Sequence, residues 1–158
     1  MEFLVAKTEE DFNIGKALFL EYANELGIDL HFQNFEEELD SITKQYTSPS
    51  GALLLLKEKN KAIGCVGIRK LEGNIGELKR MFIKKEYRNK GFGKPLLKKG
   101  IEMAKVLNYH KIRLDTLPTM EKALKIYTAI GFKEIKPYRY NPIVGTKFLE
   151  LEIKNWGK

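Results

Sequence analysis

Residues 77–94 read ELKRMFIKKEYRNKGFGK and place two glycines, Gly91 and Gly93, two positions apart among basic side chains. An apolar strand pattern precedes the glycines and an amphipathic helix pattern follows them. The first N–H groups of a helix have no partner within it, and the helix dipole adds positive charge at that end. Because glycine lets a bulky anion approach the main chain, the stretch predicts a pyrophosphate-binding site.

The same glycines also have a purely structural interpretation, in which they only form the turn from strand to helix. Short glycine motifs recur by chance, so the spacing alone leaves both interpretations open. Two known phosphate loops are excluded. Residues 91–95 lack the glycine gap and the Lys-Ser/Thr pair of a Walker A loop, and the third glycine of a dinucleotide fingerprint is missing.

Outward from this junction, the hydrophobic pattern predicts the order β-α-α-β-β-β-α-β-α-β-β. Strands are predicted over residues 2–7, 52–57, 62–71, 75–83, 112–115, 132–135 and 147–153. Helices are predicted from a Thr8 cap to Gly27, from an Asn34 cap to Tyr46, over residues 92–107 and over residues 120–130. No linker or repeat interrupts residues 1–158, so we expect a single α/β domain with a mixed sheet covered on both faces.

Charge and composition limit the classes of partner that the chain can be expected to bind. The chain has 28 Lys and Arg against 21 Asp and Glu, a net charge of +7 that favours an anionic partner. A phosphate-bearing cofactor satisfies this as well as nucleic acid does, and nucleic acid is not expected because no binding signature for it is present. The N-terminus lacks a signal-peptide pattern and no apolar run could span a bilayer, so we expect a cytoplasmic protein without membrane contact. His31 and His110 have no ligand spacing, and no metal site is expected.

Two motifs resemble those of the GNAT acetyltransferases, the family related to the histone acetyltransferases. Its acyl-CoA motif, Arg/Gln-x-x-Gly-x-Gly/Ala, is matched in full by Arg88, Gly91 and Gly93. Residues 123–132, ALKIYTAIGF, match its second signature, Ala-x-x-x-Tyr-x-x-x-Gly-Phe. Both motifs have the family's order and spacing, and the resemblance covers nearly the whole chain.

The resemblance implies a GNAT fold, with a mostly antiparallel sheet that splays beside strand 75–83, and acetyl-CoA as co-substrate. The pantetheine arm would lie in the gap and pair with main-chain groups of Met81, Phe82 and Ile83. One of these groups would polarise the thioester carbonyl. The cofactor loop would hold the pyrophosphate through Arg88, Asn89, Lys90, Gly91, Phe92, Gly93 and Lys94. Met120 stands where the family often has Asn, so one contact to the arm is in doubt.

Two catalytic side chains follow from the resemblance. Tyr127 matches a tyrosine that can protonate the leaving thiolate, although its apolar spacing also fits a core residue; a phenol pKa of about 10 suits this acid. Glu77 lies where histone-type members carry the base that deprotonates the amine. The alternatives are a surface glutamate paired with Lys79 or Arg80, and deprotonation through water. Glu36, Glu37 and Glu38 are weaker rivals, expected on a solvated helix face.

The predicted function is acetyl transfer from acetyl-CoA to a primary amine by direct attack in a ternary complex. A route through an acyl-cysteine is not expected, because Cys65 is alone on an apolar strand. The acceptor would bind near residues 22–33 and 138–146, although residues 137–142 could simply close a loop. The alternative function is a catalytically idle acyl-CoA-binding or sensing module. A homodimer is left open.

Overall fold

The computed structural model describes residues 1–30, 34–154 and 156–157. One sheet of seven strands has the order β1-β2-β3-β4-β5-β7-β6. The strands are β1 (Glu2–Val5), β2 (Ala52–Glu58), β3 (Lys61–Glu72), β4 (Ile75–Ile83), β5 (Lys111–Thr116), β6 (Lys133–Ile135) and β7 (Lys147–Glu152). The helices are α1 (Glu9–Leu26), α2 (Phe35–Asp40), α3 (Ile42–Gln45), α4 (Gly93–Val106) and α5 (Glu121–Ile130). The predicted mixed, mostly antiparallel sheet is confirmed, because all its strand pairs are antiparallel except β4 with β5.

The helix ends show where local sequence signals hold and where they fail. Thr8 caps α1 in a reciprocal capping box with Asp11, and Gly27 ends that helix with a φ of 64°, as predicted. The second predicted helix is wrong in one respect, because it divides at Ser41 into α2 and α3. The Ser41 hydroxyl donates to the main-chain oxygen of Glu37 at 2.6 Å, a local bond that competes with the helix. The predicted cap is also wrong, since the Asn34 side chain makes no capping bond.

A bulge in β4 decides which of its side chains share a face. Between Cys65 and Gly67 of β3 the chain advances two residues, whereas β4 advances three, from Lys79 to Phe82. Arg80 lies in this bulge with a φ of 56°. The Cys65 thiol donates to the main-chain oxygen of Arg80 at 3.4 Å. Because of the extra residue, strict alternation of side chains along β4 is broken.

The two faces of the sheet carry separate cores. Phe12, Phe19 and Leu30 pack on one face with residues of α2 and α3 and with Phe82 of β4. The other face is covered by α4 and α5 and takes Leu78, with Met81 and Ile83 packed at its margin. Helices therefore cover both faces, as the sequence pattern predicts.

The sheet splays between β4 and β5. These parallel strands pair only over Ile75–Glu77 with Lys111–Arg113, while β5 stays paired with β7 as far as Thr116. Beyond Glu77, β4 and β5 are no longer paired with each other in the described part of the chain. The splay predicted beside strand 75–83 is confirmed, and it opens the centre of the sheet.

Candidate active site

The gap between β4 and β5 forms a narrow cleft of about 50 Å³. Its lining comes from the first helix and the segment after it, from β4, and from β5 to α5: Tyr22, Leu26, Leu30, Leu78, Lys79, Arg80, Met81, Leu114, Asp115, Leu117, Met120, Ala123 and Tyr127. Main-chain groups on the open edge of β4 can pair with an extended ligand, as a further strand would. Met81, Phe82 and Ile83 lie in this unpaired stretch, so the geometry is compatible with the role predicted for them.

The cofactor loop (residues 88–94) combines two left-handed positions with an uncapped helix. The φ values are 62° at Asn89 and 83° at Gly91. Helix α4 begins at Gly93, and Phe92 before it supplies no side-chain cap. The first N–H groups of α4 therefore point to the loop without a side-chain partner, which is the arrangement that binds phosphates at helix N-termini.

The two glycines serve different local needs. A Cβ added at Gly91 would meet nothing within 4 Å, so this position needs glycine for its positive φ. A Cβ at Gly93 would lie 3.0 Å from Cδ1 of Ile126 on α5, so this position also serves helix packing. The turn interpretation thus holds beside the anion-binding one, and the phosphate-binding role of residues 88–94 stays a prediction.

The Arg88 side chain connects the cofactor loop to α1. Its Nη2 donates to Oε2 of Glu25 at 2.7 Å, its Nη1 bonds to the other oxygen of that carboxylate, and its Nε donates to the oxygen of Ile83 at 2.8 Å. The hydrogen bonds from Arg88 hold the pKa of Glu25 below its usual value. With its guanidinium engaged in this way, Arg88 fixes the position of the loop, and its contact with phosphate stays a prediction.

Tyr127 is both a core residue and a wall of the cleft. The ring is 6% exposed and packs edge-on against Phe132, with centroids 5.5 Å apart. Tyr127 is one of the residues that line the cleft, and none of the described residues hydrogen-bonds to its hydroxyl. Burial raises the pKa of Tyr127, so the phenol stays protonated at neutral pH. A protonated phenol is the form required of a general acid.

Glu77 is buried and its carboxylate is fully engaged. Oε1 accepts from Nε of Arg69 at 3.1 Å, and Oε2 accepts from the Tyr138 hydroxyl at 2.8 Å and from Arg139. Burial by itself would raise the pKa of Glu77, but the charges of Lys79, Arg139 and Arg69 outweigh it and lower the pKa. The alternative interpretation of Glu77 as a surface glutamate is therefore wrong. These contacts count against a direct role as base, and its role in catalysis stays a prediction.

Lys79 is a cleft residue whose importance the sequence does not reveal. Its residue exposure is 3%, and it lines the cleft with Asp115 and Tyr127. Burial and the neighbouring Arg80 lower the pKa of Lys79 to about 7. About half of an amine with that pKa is neutral at pH 7 and can accept a proton. In the sequence, Lys79 looks like one more surface base, because nothing local marks its burial.

A charge cluster next to the cleft joins three buried residues, Glu38, Glu77 and Arg80, to two partly buried ones, Arg69 and Arg139. Arg80 donates to both oxygens of Glu38, at 3.1 and 2.8 Å. The solvated face expected for the second helix is wrong for Glu38, which is 1% exposed, whereas Glu36 and Glu37 are exposed. Arg80 at the bulge requires a buried counter-charge, and Glu38 supplies it.

The loop between β6 and β7 contributes to the predicted acceptor side. Tyr138 donates a hydrogen bond to Glu77, and Asn141 donates to Oδ2 of Asp115 at 3.4 Å. Tyr140, in contrast, is 73% exposed. The predicted acceptor region near residues 22–33 reaches the cleft through Tyr22 and Leu30. Residues 31–33 of that prediction lie outside the described residues.

The remaining sequence expectations concern Cys65, metal sites and membrane-spanning helices. Cys65 is fully buried and burial raises the pKa of its thiol, which is compatible with packing. Across residues 1–30, 34–154 and 156–157, no cluster of three His, Cys, Asp or Glu is placed to hold a metal ion. Over the same ranges, no helix has the length and apolarity needed to cross a membrane.

Comparison with known proteins agrees with this geometry. Residues 12–132 match the model of the Acetyltransferase (GNAT) family. An uncharacterized N-acetyltransferase of Schizosaccharomyces pombe is 35% identical over 149 residues, covering 93% of this chain and 91% of that protein. The N-acetylaspartate synthetase of Xenopus tropicalis is 30% identical over 73% of this chain, which spans 43% of that protein. A GNAT acetyltransferase structure from Staphylococcus aureus Mu50 superposes with a TM-score of 0.76 at 27% identity, covering 97% of this chain and all of that one.

The matched residues run from Phe12 in α1 to Phe132 after α5 and include the cofactor loop, the splayed strand β4 and Tyr127. The S. pombe relative extends the match over nearly the full chain. The chain therefore belongs to the GNAT family and is an acetyl-CoA-dependent N-acetyltransferase.

Proposed function

We propose that the chain transfers the acetyl group of acetyl-CoA to a primary amine by direct attack within a ternary complex. One observation carries this proposal: the unpaired edge of β4 and Tyr127 line a single cleft, and the uncapped start of α4 packs beside α5, the helix that carries Tyr127. Together they provide a place for an extended arm, a place for its phosphates, and an acid at the reacting end.

In the proposed step, the amine nitrogen forms a bond to the thioester carbonyl carbon, and the carbon–sulfur bond breaks. Main-chain N–H groups of Met81 to Ile83 stabilise the negative charge that develops on the carbonyl oxygen. Tyr127 gives its proton to the departing thiolate. The amine must lose a proton before or during attack, so a group in the cleft has to receive it.

Two side chains are candidates for that proton. Glu77 is the candidate from the resemblance, and its contacts restrict it to indirect transfer, because Arg69, Arg139 and Tyr138 engage both its oxygens. Lys79 faces the cleft two residues farther along β4, and its pKa of about 7 suits a base working near neutral pH. We favour Lys79, since it combines access to the cleft with the better-matched pKa.

The proposed function is tested by thiol release from acetyl-CoA in the presence of a panel of primary amines. Calorimetry with CoA provides a separate readout, for which we expect a Kd of about micromolar, or about 8 kcal/mol. Binding of CoA without thiol release from any amine would support the idle acyl-CoA-binding module instead. Absence of CoA binding at high micromolar concentration would contradict both functions.

The proposal does not specify which primary amine is the acceptor. The name of the X. tropicalis relative, N-acetylaspartate synthetase, indicates an amino acid with two carboxylates as that protein's acceptor. The similarity supports testing amine acceptors that also carry a carboxylate on this chain.

A further inference from the structure

A second cavity lies beside the cleft along β4, with Glu77 in its lining and the next residue, Leu78, in that of the cleft. It has a volume of about 320 Å³, enough for a small metabolite, and is lined by Gln45, Ser50, Arg69, Lys70, Leu71, Glu77 and Arg139. Glu77 in this cavity and Lys79 in the cleft are two residues apart on one strand, so their Cα atoms are about 7 Å apart. A molecule seated in the cavity could therefore extend into the cleft.

The lining of this cavity has an excess of positive charge. Three basic residues, Arg69, Lys70 and Arg139, face one carboxylate, that of Glu77. This carboxylate is already shared between the two arginines. Glu38 lies outside the lining, 3.8 Å from Nη1 of Arg69, but Arg80 already pairs with its carboxylate. The bases of the lining therefore keep an excess of positive charge.

Both arginines are partly accessible and have donors left. The side chains of Arg69 and Arg139 are 18% and 22% exposed, respectively. Arg69 uses Nε on Glu77 and Nη1 on Gln45, whereas Arg139 uses Nη2 on Glu77. Since a guanidinium has five N–H donors, each arginine can still offer donors to a planar anion in the cavity.

We propose that Arg69 and Arg139 bind a carboxylate of the acceptor, so that the acceptor is an amino-carboxylate whose amine reaches the cleft. This inference rests on the proposed acetyl transfer. The spacing of about 7 Å between Glu77 and Lys79 favours acceptors in which several carbon atoms separate the amine from the carboxylate. γ-Aminobutyrate fits this spacing better than glycine does.

Thiol release from acetyl-CoA tests the proposal with two matched acceptors, γ-aminobutyrate and 4-aminobutanamide, which differ in the negative charge. We expect kcat/KM of the wild type to be at least tenfold higher for γ-aminobutyrate than for the amide and for glycine. Arg139→Gln should bring the ratio between the first two close to one, mainly through KM, whereas Arg139→Lys should retain part of it. Lys136→Gln removes the same charge from an exposed neighbour and serves as the control.

A binding measurement separates this inference from the proposed function. Glutarate carries carboxylates but no amine, and we expect calorimetry to detect its binding to the wild type with CoA present, at least tenfold weaker in Arg139→Gln. If no amine releases thiol but glutarate binds in this way, acetyl transfer is wrong and the carboxylate site stands. If both acceptors react equally in the wild type, or folded Arg139→Gln keeps the full ratio and glutarate affinity, the carboxylate site is wrong.

Discussion

At the scale of single residues, two neighbours on β4 have different environments. Glu77 is surrounded by cationic donors that stabilise its ionised form, and its pKa is lowered. Lys79 is buried next to Arg80, and its neutral form is favoured. An effective base must be accessible and have a pKa near the working pH. On this ground we propose different roles for the two residues.

Glu77→Gln and Lys79→Met should differ in how their effects depend on pH. We expect kcat/KM of Lys79→Met to fall on the order of a hundredfold near pH 7, the low end for general-base catalysis, and to recover as pH approaches the pKa of the amine. Glu77→Gln should lower kcat/KM by a ratio that stays constant with pH, because the change loosens Arg69 and Arg139. Rate–pH profiles of both variants with one acceptor measure this. A loss in Glu77→Gln that shrinks with rising pH would restore Glu77 as the base.

Tyr127→Phe removes a hydroxyl while the buried ring keeps its packing on Phe132. We expect turnover to fall by about a hundredfold and CoA affinity to stay nearly unchanged, because only the proton donor to the thiolate is lost. Steady-state kinetics and calorimetry measure the two quantities. Tyr109→Phe, which removes a hydroxyl bonded to Ser50, is the control. Full turnover in Tyr127→Phe across pH would leave Tyr127 as a core residue only.

At the scale of elements, the junction of β4 and α4 is built by main-chain geometry more than by side chains. Asn89 and Gly91 adopt left-handed conformations, and α4 begins without a side-chain cap. Arg88 ties the junction to α1 through Glu25. The junction therefore presents main-chain N–H groups in a fixed orientation, which is what a pyrophosphate needs.

Gly91→Ala should weaken CoA binding by more than tenfold, since an alanine disfavours the left-handed conformation that orients the loop. Gly73→Ala is a matched control. Gly73 also has a positive φ, of 50°, and an added Cβ would meet nothing within 4 Å, but this residue lies in the β3–β4 hairpin. Calorimetry with CoA and thermal unfolding without it compare the two variants. Equal affinities in both would mean that Gly91 serves only the turn.

At the scale of the whole molecule, the charge cluster joins segments that are distant in the chain. Glu38 comes from α2, Arg69 from β3, Arg80 from the bulge of β4, and Arg139 from the loop before β7. Removing one partner of a buried pair leaves the other charge uncompensated, which costs about 3–5 kcal/mol. The cluster therefore couples the stability of the fold to the geometry of the site.

Glu38→Gln should lower the free energy of unfolding by about 3 kcal/mol at pH 7, because Arg80 loses its counter-charge. Burial would raise the pKa of Glu38, but Arg80 outweighs it and lowers that pKa. A lowered carboxyl pKa gives stability that is present above the unfolded-state pKa of about 4.3 and is lost as pH falls through the folded-state value. Thermal unfolding from pH 7 to 3 should show a smaller acid loss in Glu38→Gln. Glu37→Gln, an exposed neighbour, is the control; equal melting curves for the two variants would contradict the buried pairing.

The amino-acid sequence by itself determined the order of elements apart from the break at Ser41, together with the antiparallel hairpins, the α1 cap and the glycine junction before α4. Each depends on side-chain periodicity or turn chemistry within a few residues, so local sequence carries the signal. The two GNAT motifs determined the family in the same way, since the cofactor loop is one continuous stretch.

Only the tertiary structure decided which charged residues lie in the cleft and in the cavity beside it. The bulge at Arg80 shifts the alternation of β4, and a single inserted residue leaves no periodic signal in the sequence. Glu38 and Arg139 look like surface residues because their partners lie tens of residues away along the chain. A buried charge is stable only when folding brings its counter-charge to it, so burial of Lys79, Arg80 and Glu77 could be read only from the folded chain.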